Sequence, residues 1–233
     1  NRFVDRGGID RDPTSRLIDP EGMGVSEGTK IVGLILAAGA SRRMGPERNK
    51  LILRIGDRPL LRRVVDVFRD AEVAPLFVVL GHQADAVEPT LGGGIDVIRH
   101  EDWAQGMGSS IARGVSSIEA AHHPDAFLLC VGDLPGLRAS AVRSVRDVFV
   151  REGNADSIVV PTFEGSEGHP VLFGRSHAKT LAALQGDLGA RKILEANASS
   201  VIRVPVADDG ILRDVDTPEA LGDWQDGGSR SQA

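Results

Sequence analysis

Three short segments of the chain carry side chains suited to handling a phosphorylated ligand. The first is Leu36-Ala37-Ala38-Gly39-Ala40-Ser41-Arg42-Arg43-Met44-Gly45, followed closely by Lys50. Small residues let a backbone approach a ligand, and the free N–H groups of such a turn can cradle phosphate oxygens. Arg43 and Lys50 supply positive charge where a triphosphate would collect negative charge. The second segment, Val131-Gly132-Asp133-Leu134-Pro135, ends an apolar run in a carboxylate. That placement suits a Mg²⁺ ion that keeps most of its own waters. The third is the acidic cluster Asp214-Val215-Asp216-Thr217-Pro218-Glu219. Two carboxylates drawn together from distant loops would clamp a metal that bridges phosphates. Each segment taken singly also has a structural reading. The first can be a glycine turn with solvated arginines, Asp133 can cap the next helix, and Thr217 can be an N-cap with Pro218 at the first helical position.

Three further segments add possible binding groups. In Trp103-Ala104-Gln105-Gly106-Met107-Gly108-Ser109-Ser110-Ile111, free N–H groups and the Ser109 and Ser110 hydroxyls could read a base or ribose, or simply cap a helix. Gly168-His169-Pro170 introduces a short strand, with His169 either a ligand-facing group or a core histidine. Gly186-Asp187-Leu188-Gly189-Ala190-Arg191 opens a later helix, and Arg191 offers a bidentate fork for a phosphate. Other chemistries find less support. The first loop has five residues between its glycines and Pro46 after them, so it is not a phosphate-binding P-loop. It also lacks Gly-x-Gly-x-x-Gly, and Gly81-His82-Gln83 stands where a dinucleotide site would want an acidic ribose binder. His82, His100, His122, His123 and His177 show no zinc spacing, and no Ser/His/Asp or Cys/His set suggests a covalent nucleophile.

These loops need strands and helices to position them. Ile31–Leu36 is a continuous apolar run, as expected of a parallel strand buried on both faces. Pro59–Asp70 has helical periodicity, with Leu60, Leu61, Val64, Val65, Val67 and Phe68 on one stripe. Leu76–Leu80, Ile95–Ile98 and Phe127–Val131 read as further strands, the last as the central one, with Ser109–Ala120 a helix between. Ala139–Arg151 is helical, and Ser157–Val160, Val171–Phe173 and Val201–Val204 are later strands. Alternating strands and helices predict an α/β fold with a doubly wound, mostly parallel sheet. One domain is expected over residues 29–225, after a poorly ordered leader at 1–28 and before a polar tail at 226–233.

Composition limits the function classes. The 233 residues carry 27 basic and 33 acidic side chains, a formal net charge of −6, which disfavours a general nucleic-acid binder. The absence of tyrosine and only 4% aromatics argue against stacking platforms for single strands. The one cysteine, Cys130, cannot make an internal disulfide and points to a reducing cytoplasm. No apolar run approaches the roughly 18 residues of a membrane helix.

Read in order, Leu36-Ala37-Ala38-Gly39 through Arg43-Met44-Gly45 and Lys50, then Gly81-His82, Gly106-Met107-Gly108-Ser109-Ser110, Gly132-Asp133-Leu134-Pro135, Gly168-His169-Pro170 and Asp214-Val215-Asp216-Thr217-Pro218 resemble the molybdenum cofactor cytidylyltransferases. That group lies within the nucleotidyltransferases of glycosyltransferase-A-like fold, and the resemblance runs from about Lys30 to Trp224. It implies transfer of CMP from CTP to the terminal phosphate of molybdopterin, with release of pyrophosphate and dependence on Mg²⁺. It implies Arg43, Lys50 and Asp133 as catalytic residues, and Asp133 and Asp216 as metal ligands with Asp214 in reserve. Ala37, Ala38, Gly39, Gly81, Gly106, Ser109 and Ser110 would form the nucleotide site, and His169, Asp187 and Arg191 the acceptor site. Cytidylyl members resemble this chain in having Ala-Ala-Gly after the first strand, so Ala38 favours CTP. A molybdenum hydroxylase is the implied recipient of the product. One departure is the charged spacer Pro46-Glu47-Arg48-Asn49 before Lys50, longer than the family's. Alternatives are guanylyl or other nucleotidyl transfer to a different phosphorylated acceptor, or a non-catalytic carrier of molybdenum cofactor. A nicotinamide-dependent oxidoreductase rests on the first glycine loop alone.

Overall fold

The computed structural model of the chain describes residues 28–45, 49–187 and 189–227. The expected leader, apart from Gly28, and most of the expected tail lie outside the described residues. From the N-terminal side the elements are β1 (Ile31–Ala37), β2 (Arg54–Ile55), β3 (Arg58–Pro59), α1 (Leu60–Asp70), β4 (Leu76–Leu80), α2 (Ala84–Val87), β5 (Asp96–Arg99) and α3 (Met107–His122). They continue with β6 (Ala126–Val131), α4 (Ala139–Glu152), β7 (Ile158–Phe163), β8 (Ser166–Glu167), β9 (Val171–Gly174), α5 (Ala178–Ala182), α6 (Arg191–Ala196), β10 (Val201–Pro205) and α7 (Pro218–Gly227).

The main sheet has the order β10-β7-β9-β6-β1-β4-β5, with β8 paired to β7. The pairs β6-β1, β1-β4, β4-β5 and β10-β7 are parallel. Side chains of a strand alternate between faces, and β1 shows what that does here. Ile31 and Ile35 enter one core with Leu61, Val65 and Phe68 of α1 and Val142 and Val145 of α4. Val32 and Leu34 enter the other, with Ile111, Val115 and Ile118 of α3. Helices therefore cover both faces, which is the doubly wound, mostly parallel α/β architecture expected from the sequence.

Two departures from the expected pattern matter for the site. β9 is antiparallel to both β6 and β7. The residues that precede it therefore emerge at the edge where β6 ends, with Val171 opposite Leu129. Helix α3 begins at Met107, two residues earlier than expected, directly after Gly106 at φ 107°. That left-handed value is one glycine tolerates and other residues rarely adopt. Among the described residues, no helix is long and apolar enough to cross a membrane.

Candidate active site

In open α/β sheets ligands sit outside the carboxyl ends of the strands, and a cleft of about 690 Å³ opens there. Its floor is the end of β1: Ala37, Ala38, Gly39 and Ala40 line it, followed by Ser41, Arg42 and Arg43. Lys50 is anchored to this loop, its backbone N–H donating to Ser41 Oγ at 3.1 Å. Asn49, buried beside it, accepts from Leu51 N–H at 3.1 Å and donates through Nδ2 to the His82 carbonyl at 3.3 Å. Asn49 thus ties the chain just before Lys50 to the segment that follows β4.

Lys50 reaches across the cleft floor. Its Nζ donates to Asp133 Oδ2 and to Asp216 Oδ1, each at 2.6 Å, while Arg43 pairs with the other oxygen of Asp216. Asp133 follows β6 directly, and Asp216 arrives from the segment after β10. What joins them is a backbone bond, Val215 N–H to the Asp133 carbonyl at 3.0 Å. That contact and the Lys50 bridge hold the segment carrying Asp214 and Asp216 beside Asp133. Ligand oxygens of Asp133, Asp214 and Asp216 all lie within 4.8 Å of one another.

Burial by itself would lower the Lys50 pKa, but the charges and hydrogen bonds of Asp133 and Asp216 raise it above the ordinary lysine value. The hydrogen bond from Lys50 holds Asp216 below the usual carboxylate range despite some burial. Asp214 moves the other way, raised by burial and by the charges of Asp133 and Asp216. Asp133 Oδ1 is buried without a hydrogen-bond partner. An orphaned carboxylate oxygen beside two further carboxylates is a hard oxygen donor set, and it fits a divalent cation such as Mg²⁺ or Mn²⁺.

The walls differ in character. Trp103, Ala104, Gly106, Met107 and Ser110 form one side. Trp103 lies so close over Gly81 that a Cβ at 81 would stand 2.5 Å from the Trp103 Cβ and 2.9 Å from that of Ala38. Gly81 thus supports the wall from beneath and is not among the lining residues. Ser109 also departs from its expected role. It is buried, lies 2.9 Å from His100 Nε2, and gives its proton to the Gly106 carbonyl at 2.7 Å. One helical step later Ser110 does line the cleft.

His169 and Asp187 line the cleft as well, from different directions. The reversal of β9 brings His169 beside Asp133 and Asp214, and burial lowers its pKa against the pull of those two charges. Its Nδ1 is buried and has no partner. Asp187 sits against Gly106 on the α3 side, where its Oδ1 would be 2.4 Å from a Cβ at that position. Arg191 is not brought to the cleft. It opens α6, is 87% exposed, and pairs with Glu195 of its own helix at 3.2 Å. Two residues escape a sequence reading: Asn49, whose role depends on the distant His82 carbonyl, and His100, whose partner Ser109 becomes visible only once α3 is placed.

Comparison with known proteins identifies the family. Residues 33–201 match the family described as MobA-like NTP transferase domain. The chain is 30% identical over 210 residues to the nicotine blue oxidoreductase of Paenarthrobacter nicotinovorans, covering 85% of this chain and 98% of that protein. The crystal structure of Rv0371c from Mycobacterium tuberculosis superposes with a TM-score of 0.75 at 30% identity, over 85% of this chain and 98% of that one. A manganese complex of Rv0371c superposes with a TM-score of 0.71 at 29% identity, over 85% and 99% of the two chains. A nucleotidyl transferase from Methanothermobacter shares the fold, with a TM-score of 0.75 at 20% identity over 88% of this chain and all of that one.

Proposed function

The chain belongs to the MobA-like NTP transferase family, and from that membership we propose that it transfers CMP from CTP to the terminal phosphate of molybdopterin. In this reaction an acceptor phosphate oxygen forms a bond to the α-phosphorus of CTP. The bond from that phosphorus to the bridging oxygen breaks, and pyrophosphate leaves. A phosphate monoester is already an anionic nucleophile, so positioning and charge stabilisation must supply the catalysis rather than a general base. The observation that carries the reading is the meeting of Lys50 with Asp133 and Asp216 at 2.6 Å on the cleft floor.

Each residue then has a task its surroundings support. Lys50 and Arg43 hold the triphosphate and stabilise the charge that grows on the departing pyrophosphate. Asp133 and Asp216, with Asp214 in reserve, would hold Mg²⁺. A bound divalent cation there supplies charge compensation to phosphate oxygens. Ala37, Ala38, Gly39, Gly106 and Ser110 hold the nucleotide, with Ser109 and Gly81 acting from behind the wall. His169 and Asp187 receive the acceptor, His169 through a largely neutral imidazole with a free Nδ1. Ala38 in the Ala-Ala-Gly after β1 is the residue that would favour CTP, since an extra methyl can narrow a pocket against a purine, a discrimination worth about 1–3 kcal/mol. The product would pass to a molybdenum hydroxylase.

The test is pyrophosphate release with CTP, GTP, ATP and UTP, each with Mg²⁺ and molybdopterin. Preference for CTP is expected. Preference for GTP keeps the mechanism and overturns the base assignment, and release with no nucleotide overturns the reading. The name of the Paenarthrobacter relative favours a second reading, an oxidoreductase. Against it stand the missing Gly-x-Gly-x-x-Gly after β1 and the His82 that follows β4 in place of an acidic ribose binder. Binding of NADH with fluorescence enhancement, together with silence towards all four triphosphates, would favour that alternative.

A further inference from the structure

His100 lies outside the cleft and has no part in the chemistry above, yet it is among the few buried polar side chains of the described residues. It follows β5, and its backbone N–H donates to the Leu80 carbonyl at 2.8 Å, which fixes it to the end of β4. Its Nε2 lies 2.9 Å from Ser109 Oγ. Ser109 has one hydroxyl proton, and that proton is committed to the Gly106 carbonyl at 2.7 Å. The serine oxygen must therefore accept from His100, so Nε2 carries a hydrogen and the direction of the chain is His100 to Ser109 to Gly106.

Gly106 is the pivot of the apolar wall. Its N–H donates to the Trp103 carbonyl at 3.2 Å, which closes the turn that carries Trp103 and Ala104. Helix α3 starts on its far side with Met107, and Gly108 N–H donates to the Gly186 carbonyl at 2.7 Å. Trp103, Ala104, Gly106 and Met107 are all lining residues, and the carbonyl of the Gly106–Met107 peptide between them accepts from Ser109 Oγ and also from Ser110 N–H at 3.4 Å. We propose that His100, acting through Ser109, is a positioning residue for the nucleotide wall: it locks the Gly106 peptide so that Trp103 and Met107 stand where a nucleotide is received. Burial lowers the His100 pKa, opposed by the charge of Asp102 and assisted by Arg113, so the ring is neutral at neutral pH. The Nε2–H tautomer is then the form that makes the contact. The inference rests on the nucleotidyltransferase reading of the cleft.

The test is a double-mutant cycle read by titration calorimetry with CTP and Mg²⁺ and by pyrophosphate-release kinetics. His100→Ala and Ser109→Ala should each raise the Kd and KM for the nucleotide about tenfold, the value of one sheltered hydrogen bond, with kcat changed less than threefold. The double variant should be no worse than either single one, because the two groups act as one chain. His100→Gln, whose amide Nε2 can donate to Ser109, should recover most of the affinity. Additive effects, equal losses in KM and kcat, or failure of the Gln variant to recover would overturn the proposal. Should His100→Ala fail to fold, the Ser109→Ala and His100→Gln measurements still decide it. If the unaltered protein binds no nucleotide, the parent reading falls; if it binds and the variants bind equally well, only the positioning role falls.

Discussion

Replacing Lys50 with Met separates a catalytic lysine from one that merely neutralises acid. The side chain of Lys50 is 12% exposed and that of Asp133 17%, so their contact is sheltered, whereas Asp216 is 37% exposed. A charge-assisted hydrogen bond of the sheltered kind contributes about 2 kcal/mol, and the more exposed one about 0.5 kcal/mol after screening. The variant should therefore lose about 2–3 kcal/mol of stability, a fall of about 5–10 °C in Tm for a domain of this size. Asp216, released from the lysine that lowers its pKa, should titrate nearer its ordinary range. The effect on rate should be larger. Losing a preorganised charge stabiliser costs about 10²–10³ in turnover, equivalent to about 2.7–4 kcal/mol. Pyrophosphate release at saturating CTP, measured well below the lowered Tm, isolates that term from unfolding. A variant that melts early as expected but turns over within threefold of the unaltered protein would remove Lys50 from the chemistry. Lys50 would then be an ion-pair partner only.

Three further outcomes follow from the same geometry. Asp133→Asn should abolish pyrophosphate release with an unchanged circular dichroism spectrum, and should weaken Mn²⁺ binding by about tenfold or more in calorimetry; unchanged Mn²⁺ affinity removes Asp133 from the metal set. Gly81→Ala should cost about 1–3 kcal/mol in denaturant titration and weaken nucleotide binding, since the new methyl meets the Cβ atoms of Trp103 and Ala38. A neutral result would mean that the Trp103 wall yields. Asp66 accepts from Arg58 at 2.6 Å, Arg62 at 2.7 Å and Arg69 at 3.4 Å. Burial raises its pKa, but Arg62 and Arg58 outweigh it and hold it below its ordinary value near 3.8. Its contribution is thus present above that value and is lost as pH falls through the lower folded one. Asp66→Asn should cost about 1 kcal/mol at pH 7 and flatten the stability profile below about pH 4; an unchanged acid limb speaks against the cluster.

Much of the fold is written locally. The apolar runs of β1, β4 and β6 and the single stripe of α1 need only their own residues to declare themselves. The loops that follow those strands place Gly39 and Asp133 at one sheet edge by the rule that ligands gather at strand carboxyl ends. Charge, the lone cysteine and the loop motifs also narrow the chemistry without any structure. Contacts between distant segments decided the rest. The bond from Val215 to Asp133 turns two separate acidic loops into one cluster, and it spans more than eighty residues that carry no local sign of it. The antiparallel run of β9, settled by pairing with β6 and β7, brings His169 to that cluster. Which of two adjacent serines faces the cleft depends on the rotation of α3 about its axis, set by its packing on β1 and by where Gly106 lets it begin. Arg191 shows the reverse case. Its residue type suits a phosphate, but the direction of α6 leaves the guanidinium in solvent with Glu195. A sequence names the groups that could act, but only packing over long separations fixes which of them share one space.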